Sequence, residues 1–178
     1  MRVQLGLIGI RVFNLLYSCL LLVSLRRVLL RSVGCRIGVG TGLHDQVRFT
    51  WPGRLSLGDS STVNLGCFLD TRGGIVIGEN TMIGHYSSVY TMTHDIDSAS
   101  FASVRKAVRI GSGVVIFPRV MVMPGVIIGD AAVVYPGSVV TQDVASGDIV
   151  AGIPAKVVGK RKGPVLYKLD YTFSFANA

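Results

Sequence analysis

A chain of 178 residues suits one domain with a terminal extension, and its formal charge of +8 points to an anionic partner. Nucleic acid is argued against, because the basic residues are not interleaved with aromatics and no nucleic-acid module appears. Cys19, Cys35 and Cys67 stand at no metal or redox spacing, and their odd number fits a reduced, cytoplasmic chain.

Residues 1–36 carry Arg2, Arg11, Arg26, Arg27, Arg31 and Arg36 and no acid; Asp45 is the first. The uncharged run Val12 to Leu25 reads as a helix. At about 21 Å it falls short of a hydrocarbon core about 30 Å thick. A basic start before an apolar run also suits a signal peptide, but basic residues follow it and no convincing cleavage site does. Two roles stay open for this extension. It packs on the neighbouring domain or subunit, or it lies in the membrane plane with its arginines on anionic headgroups.

From Ile37 to about residue 150 an apolar residue recurs every six positions. Ile37, Leu57, Ile77, Ile110 and Ile128, each followed by glycine, open the units. Six residues on come Leu43, Val63, Ile83, Ile116 and Val134, and six further Phe49, Leu69, Val89, Val122 and Val140. A period of six fits neither a helix nor an alternating strand. It fits a chain wound into a three-sided coil, one short strand per face and one inward side chain per hexad. Stacked coils bury a core that no single repeat could bury. Five of them make a prism about 24 Å tall. The openers at 37, 57 and 77 lie 20 apart, so two extra residues bulge at corners, where Pro52-Gly53 and Gly73-Gly74 supply turn chemistry.

The interval from 77 to 110 is too long for a coil, and its surplus, about 93–109, predicts a projecting loop. His94 opens that loop. A histidine displayed on a rigid scaffold is a natural general base near neutral pH. His44 and His85 fall on the coil and read as structural. No second histidine or cysteine stands at ligand spacing, so no metal site is expected. The glycines form no phosphate-binding loop and no nucleophile elbow. Residues 151–178 begin with an irregular turn, Ala151 to Lys156. The basic cluster Lys156, Lys160, Arg161 and Lys162 follows, and then a segment from Gly163 that suits a strand or a tail.

Three features together resemble the hexapeptide-repeat acyltransferases, most nearly the maltose, galactoside, nodulation-factor and colanic-acid acetyltransferases. They are the hexads, the stretch Tyr90-Thr-Met-Thr-His94-Asp95, and the run from Pro124-Gly-Val-Ile-Ile-Gly129 to Ala151-Gly-Ile-Pro-Ala-Lys156. The resemblance spans roughly residues 34–161, and the basic, leucine-rich N-terminus resembles the polysaccharide-biosynthesis branch. It implies an all-β core, a left-handed parallel β-helix with a helical extension, assembled as a homotrimer with active sites between subunits. It also implies acetyl-CoA as donor and a sugar, sugar nucleotide or lipid-linked glycan as acceptor.

By the same likeness His94 takes a proton from the acceptor hydroxyl, which attacks the thioester. Asn64 and Asp70 match acceptor-binding positions, although both also suit turn-capping corners. Thr141 and Gln142 match coenzyme-contacting positions, and Lys156, Lys160 and Arg161 suit its phosphates. The family's acyl and pantetheine channel corresponds to Val115, Phe117, Pro118 and Pro136, where this sequence departs from the usual tryptophan, glycine and small residues. These departures leave three outcomes open: a different path for the donor, a longer acyl group, or no catalysis at all. The resemblance implies a sugar O-acetyltransferase of surface polysaccharide or glycoconjugate biosynthesis. N-acylation of an amino sugar nucleotide and a non-catalytic scaffold in a membrane glycan-assembly complex remain the alternatives.

Overall fold

The structure, a computed structural model, describes residues 2–169, with side chains from residue 6 onward. The last nine residues of the expected tail lie outside that range. Short strands stack in parallel into three sheets, one per face of a prism. On the first face Ile37, Leu57, Ile77, Ile110 and Ile128 are in register. On the second, Leu43, Val63, Ile83, Ile116 and Val134 stack likewise. Phe49, Leu69, Val89, Val122 and Val140 form the third stack. All fifteen are buried, and the most accessible, Ile37 at 6% exposed, belongs to the terminal coil.

A second inward ladder, two residues before the first, had no signal in the aliphatic pattern because many of its members are small or hydroxylic. On the second face it comprises Thr41, Ser61, Thr81, Val114 and Ala132. These sit where the chain turns, and their hydroxyls satisfy buried backbone groups. Ser61 Oγ donates to the Gly78 carbonyl at 2.7 Å and accepts from the Thr81 N–H at 2.9 Å. Thr81 Oγ1 repeats the pattern one coil on, with the Gly111 carbonyl and the Val114 N–H. The glycine after each opener has a steric cause: a Cβ on Gly58 would lie 2.6 Å from the Gly78 carbonyl carbon.

The coil count is five complete turns and part of a sixth. Val144 bridges Ile128 on the first face, and strand Asp148–Gly152 adds to the second beside Val133–Val134. The sixth opener escaped the sequence reading because Val144-Ala145 replaces the usual Ile-Gly or Leu-Gly. The expected turn at 151–156 is the tip of an antiparallel hairpin between Asp148–Gly152 and Ala155–Lys160. Beyond it the chain returns along the coils, where Asn80 holds the Tyr167 carbonyl and the Leu169 N–H. The surplus near 93–109 is likewise ordered as a ribbon, Met92–His94 antiparallel to Ser103–Arg105.

The single helix expected over 12–25 is two, α1 (Arg2–Cys19) and α2 (Val23–Ser32). No glycine or proline marks the break. The cause is tertiary: Arg26, fully buried, draws in the Leu20 carbonyl at 2.7 Å and ion-pairs with Asp45. The helices close the open end of the solenoid, whose core would otherwise meet water. Phe13 and Tyr17 pack edge-on against Phe49, and Asn14 pairs both ways with the Phe49 backbone at 2.8 Å.

Candidate active site

The ribbon carrying His94 leaves the prism at the corner between the third and first faces. Its Asp95 N–H donates to the Ala102 carbonyl, continuing the antiparallel pairing that brings Phe101 back beside the histidine. His94 Nδ1 lies 2.8 Å from the Phe101 carbonyl, and the two rings stack 4.3 Å apart at 8°. A carbonyl can only accept, so Nδ1 carries the proton and Nε2 presents its lone pair. His94 is exposed, and the imidazolium formed on proton uptake would lie against an aromatic face, which favours cations. Phe101 escaped the sequence reading because seven residues separate it from His94, and only the ribbon pairs them.

Asp70 directly follows the third-face strand Phe68–Leu69 of the coil below the ribbon and is fully buried. Its carboxylate accepts from Thr50 Oγ1 at 2.6 Å, from Arg72 Nε and Nη2 at 2.7 and 3.0 Å, and from the Thr91 N–H at 3.3 Å. Burial alone would raise its pKa, but the hydrogen bonds from Arg72, Thr50 and Thr91 and the Arg72 charge outweigh it and hold the carboxyl below its usual range. Thr91 in turn accepts the Gly73 N–H at 2.7 Å. Asp70 thus braces the foot of the ribbon, through Thr91, three residues before His94.

A depressed pKa contributes stability that is full above the ordinary carboxylate value and lost as pH falls through the folded one. Asp70→Asn is therefore expected to cost about 1–2 kcal/mol at pH 7, allowing for the solvent exposure of Arg72. Urea unfolding at pH 7 and pH 3 checks this, since the gap from wild type should narrow at the lower pH.

The other expected residues occupy different edges of the prism. Asn64 is buried at the corner between the second and third faces, and its side chain makes no hydrogen bond to the described residues. Val115, Phe117, Pro118 and Pro136 lie at or near that corner in later coils, where the Phe117 and Tyr135 rings meet edge-on at 6.1 Å. The Pro118 carbonyl accepts the Gly137 N–H at 3.0 Å, stacking the two proline corners. Thr141 and Gln142 are exposed on the same edge as the ribbon, two coils further on.

Of the basic group, Lys156 is exposed. Lys160 Nζ lies 2.6 Å from Asp148 Oδ1, a charge contact without an aligned hydrogen bond. Arg161 Nη1 donates to the Gly113 and Ala131 carbonyls at 2.9 and 3.2 Å, while Nη2 donates to the Tyr167 hydroxyl at 2.7 Å. One chain by itself brings together Asp70 and the His94 ribbon, and leaves the residues expected to line the channel across the third face.

Residues 107–142 match the family model described as bacterial transferase hexapeptide (six repeats). Over 101 residues the chain is 35% identical to WcaF of Escherichia coli (strain K12), named as a colanic acid biosynthesis acetyltransferase, covering 57% of this chain and 56% of that one. The chain thus spans about half the length of the curated relatives it matches. A maltose O-acetyltransferase from Clostridium difficile 630 superposes with a TM-score of 0.81 at 26% identity, covering 89% of this chain and 87% of that one. A hexapeptide-repeat containing acetyltransferase from Vibrio cholerae O1 biovar eltor, complexed with acetyl coenzyme A, gives 0.82 at 25% identity, with 91% and 90% covered. The parallel coil is the left-handed β-helix of these neighbours. Its repeats, its coil and these likenesses agree: the chain is a hexapeptide-repeat β-helix similar to these acetyltransferases.

Proposed function

We propose that this protein transfers an acetyl group from acetyl-CoA to a sugar hydroxyl, in surface polysaccharide or glycoconjugate biosynthesis, with His94 as general base. The observation that carries the reading is the Nδ1 contact with the Phe101 carbonyl, which leaves Nε2 ready to accept a proton. As Nε2 takes the hydroxyl proton, the acceptor oxygen bonds to the acetyl carbon and the carbon–sulfur bond breaks. The imidazolium then returns its proton to the departing CoA sulfur. The relatives named with maltose and acetyl coenzyme A support both substrates. Lys156 and Lys162, exposed and without a carboxylate partner among the described residues, fit the coenzyme phosphates.

Because the proposed channel and the base sit on opposite edges of the third face, a second copy of the chain is needed to complete the site, which favours a homotrimer. The direct test is CoA-thiol release from acetyl-CoA with free sugars, sugar nucleotides and lipid-linked sugars as acceptors. Release dependent on a hydroxyl acceptor supports the reading. Transfer only to an amino group, or no binding of acetyl-CoA, would defeat it.

The outer side of the helices favours peripheral contact with the cytoplasmic face of a membrane. Ile8, Val12, Leu15 and Leu16 of α1 and Leu25 and Val28 of α2 are exposed, beside arginines and before any acid. No helix among the described residues is long and apolar enough to cross a bilayer, so the fitting mode is in-plane. Sedimentation with anionic vesicles should be strong at low salt, weaker at high salt, and lost in Leu15→Glu/Leu16→Glu. Absence of binding at either salt would leave these helices to protein contacts alone.

A further inference from the structure

Between α1, the third face and the foot of the His94 ribbon lies a pocket of about 800 Å³. Arg11, Arg48, Arg54, Arg72 and Arg105 line it, and no carboxylate does. Asp70 behind the wall neutralises Arg72, and Arg54 Nη1 donates to the Arg72 carbonyl at 3.0 Å. Arg11, Arg48 and Arg105 have no side-chain acceptor among the described residues that line the pocket or surround it. Guanidinium groups gathered without a counter-charge repel one another, and a multivalent anion relieves that repulsion while accepting forked hydrogen bonds.

Apart from Asn14 and Thr50, the remainder of the wall is apolar or glycine. Ile10 and Leu7 of α1 face Phe49, Trp51 and Phe68 of the coil, with Met92 at the ribbon. A bare phosphate would gain nothing from those groups; an amphipathic phosphoester would bury its chain on them. Leu7 is 56% exposed and stands next to Ile8 on the outer side of α1, so a chain leaving the pocket meets the apolar surface proposed above for the bilayer. The other end of the pocket approaches the base. Met92 pairs with Arg105 and lies two residues before His94, hence on the same side of the ribbon and about 7 Å along it.

We propose that this pocket holds the diphosphate and the first apolar units of a lipid-linked sugar, placing the sugar at His94. The acceptor is then an amphipathic phosphoester and not a free sugar, an assignment that rests on acyl transfer at His94. Trp51, the one tryptophan of the chain, reports binding by its fluorescence. The probes are farnesyl diphosphate, uridine diphosphate, inorganic pyrophosphate and farnesol. Farnesyl diphosphate should bind at least about tenfold tighter than any of the other three, as expected when cations and apolar wall both contribute. Arg48→Gln/Arg105→Gln should remove most of that affinity and leave acetyl-CoA binding intact.

In the unaltered protein, affinity should rise from geranyl through farnesyl to geranylgeranyl diphosphate, a series that needs no variant. Equal binding of uridine diphosphate would assign the pocket to a nucleotide and overturn the lipid. Absence of binding by all four probes, in protein that still acetylates a free sugar, would overturn the pocket while sparing the acyl transfer. Loss of acetyl-CoA binding alone would defeat the acyl-transfer reading and leave the probe result to stand.

Discussion

His94→Ala lowers turnover by about 10²–10⁴-fold at neutral pH, the range that a positioned general base contributes. The Nδ1–Phe101 contact defines what should survive. The ribbon keeps its backbone pairing and its brace from Asp70 through Thr91 when the imidazole's contacts with Phe101 are lost, so the variant should fold and bind acetyl-CoA as wild type does. Unchanged acetyl-CoA binding beside lost turnover separates chemistry from structure. Near-normal turnover in the variant would remove the proposed base.

The proposed sharing of the site between chains predicts complementation. Mixed oligomers of His94→Ala with a chain blocked at the opposite edge by Pro118→Arg should recover about a quarter of wild-type activity, because random assembly leaves that share of sites with both intact halves. No recovery from two inactive parents would place the whole site in one chain.

Ile116→Ala should cost 2–5 kcal/mol, the usual range for truncating a large aliphatic side chain in a packed core. Ile116 is fully buried midway along the second face, between Ile83 and Val134. Coils on both sides pack on it, and neither can collapse into the cavity without breaking register with its own neighbours. Val39, at an exposed corner of the first coil, provides the contrast. Val39→Ala should change stability by less than about 0.5 kcal/mol. Urea denaturation of the two variants beside wild type checks both, and comparable losses would mean that the hexad position does not define the core.

The solenoid was legible because its determinants are local and repeated. An aliphatic at every sixth position can be buried in only one kind of coil, and a glycine is required beside each opener because a Cβ there would lie 2.5–2.7 Å from the backbone of the next turn. The loop length announced an excursion, and the histidine that opens it stood out as a candidate base. What escaped was whatever depended on contacts distant in sequence. The break at 20–22 follows from Arg26 reaching the Leu20 carbonyl and Asp45. The sixth turn is recruited by pairing with Val133–Val134 despite its degenerate opener. Arg161, a candidate for phosphates by position, has its guanidinium turned on the carbonyls of Gly113 and Ala131.

Sequence alone determined the coil, its core and the candidate base, since periodic burial and a surplus of chain are properties of spacing. Tertiary structure decided which nitrogen of His94 is free, which edge each candidate residue occupies, and that five arginines converge on one apolar pocket. Those arginines lie at positions 11, 48, 54, 72 and 105 with no pattern of their own; only winding the chain and folding α1 against it brings their charges together.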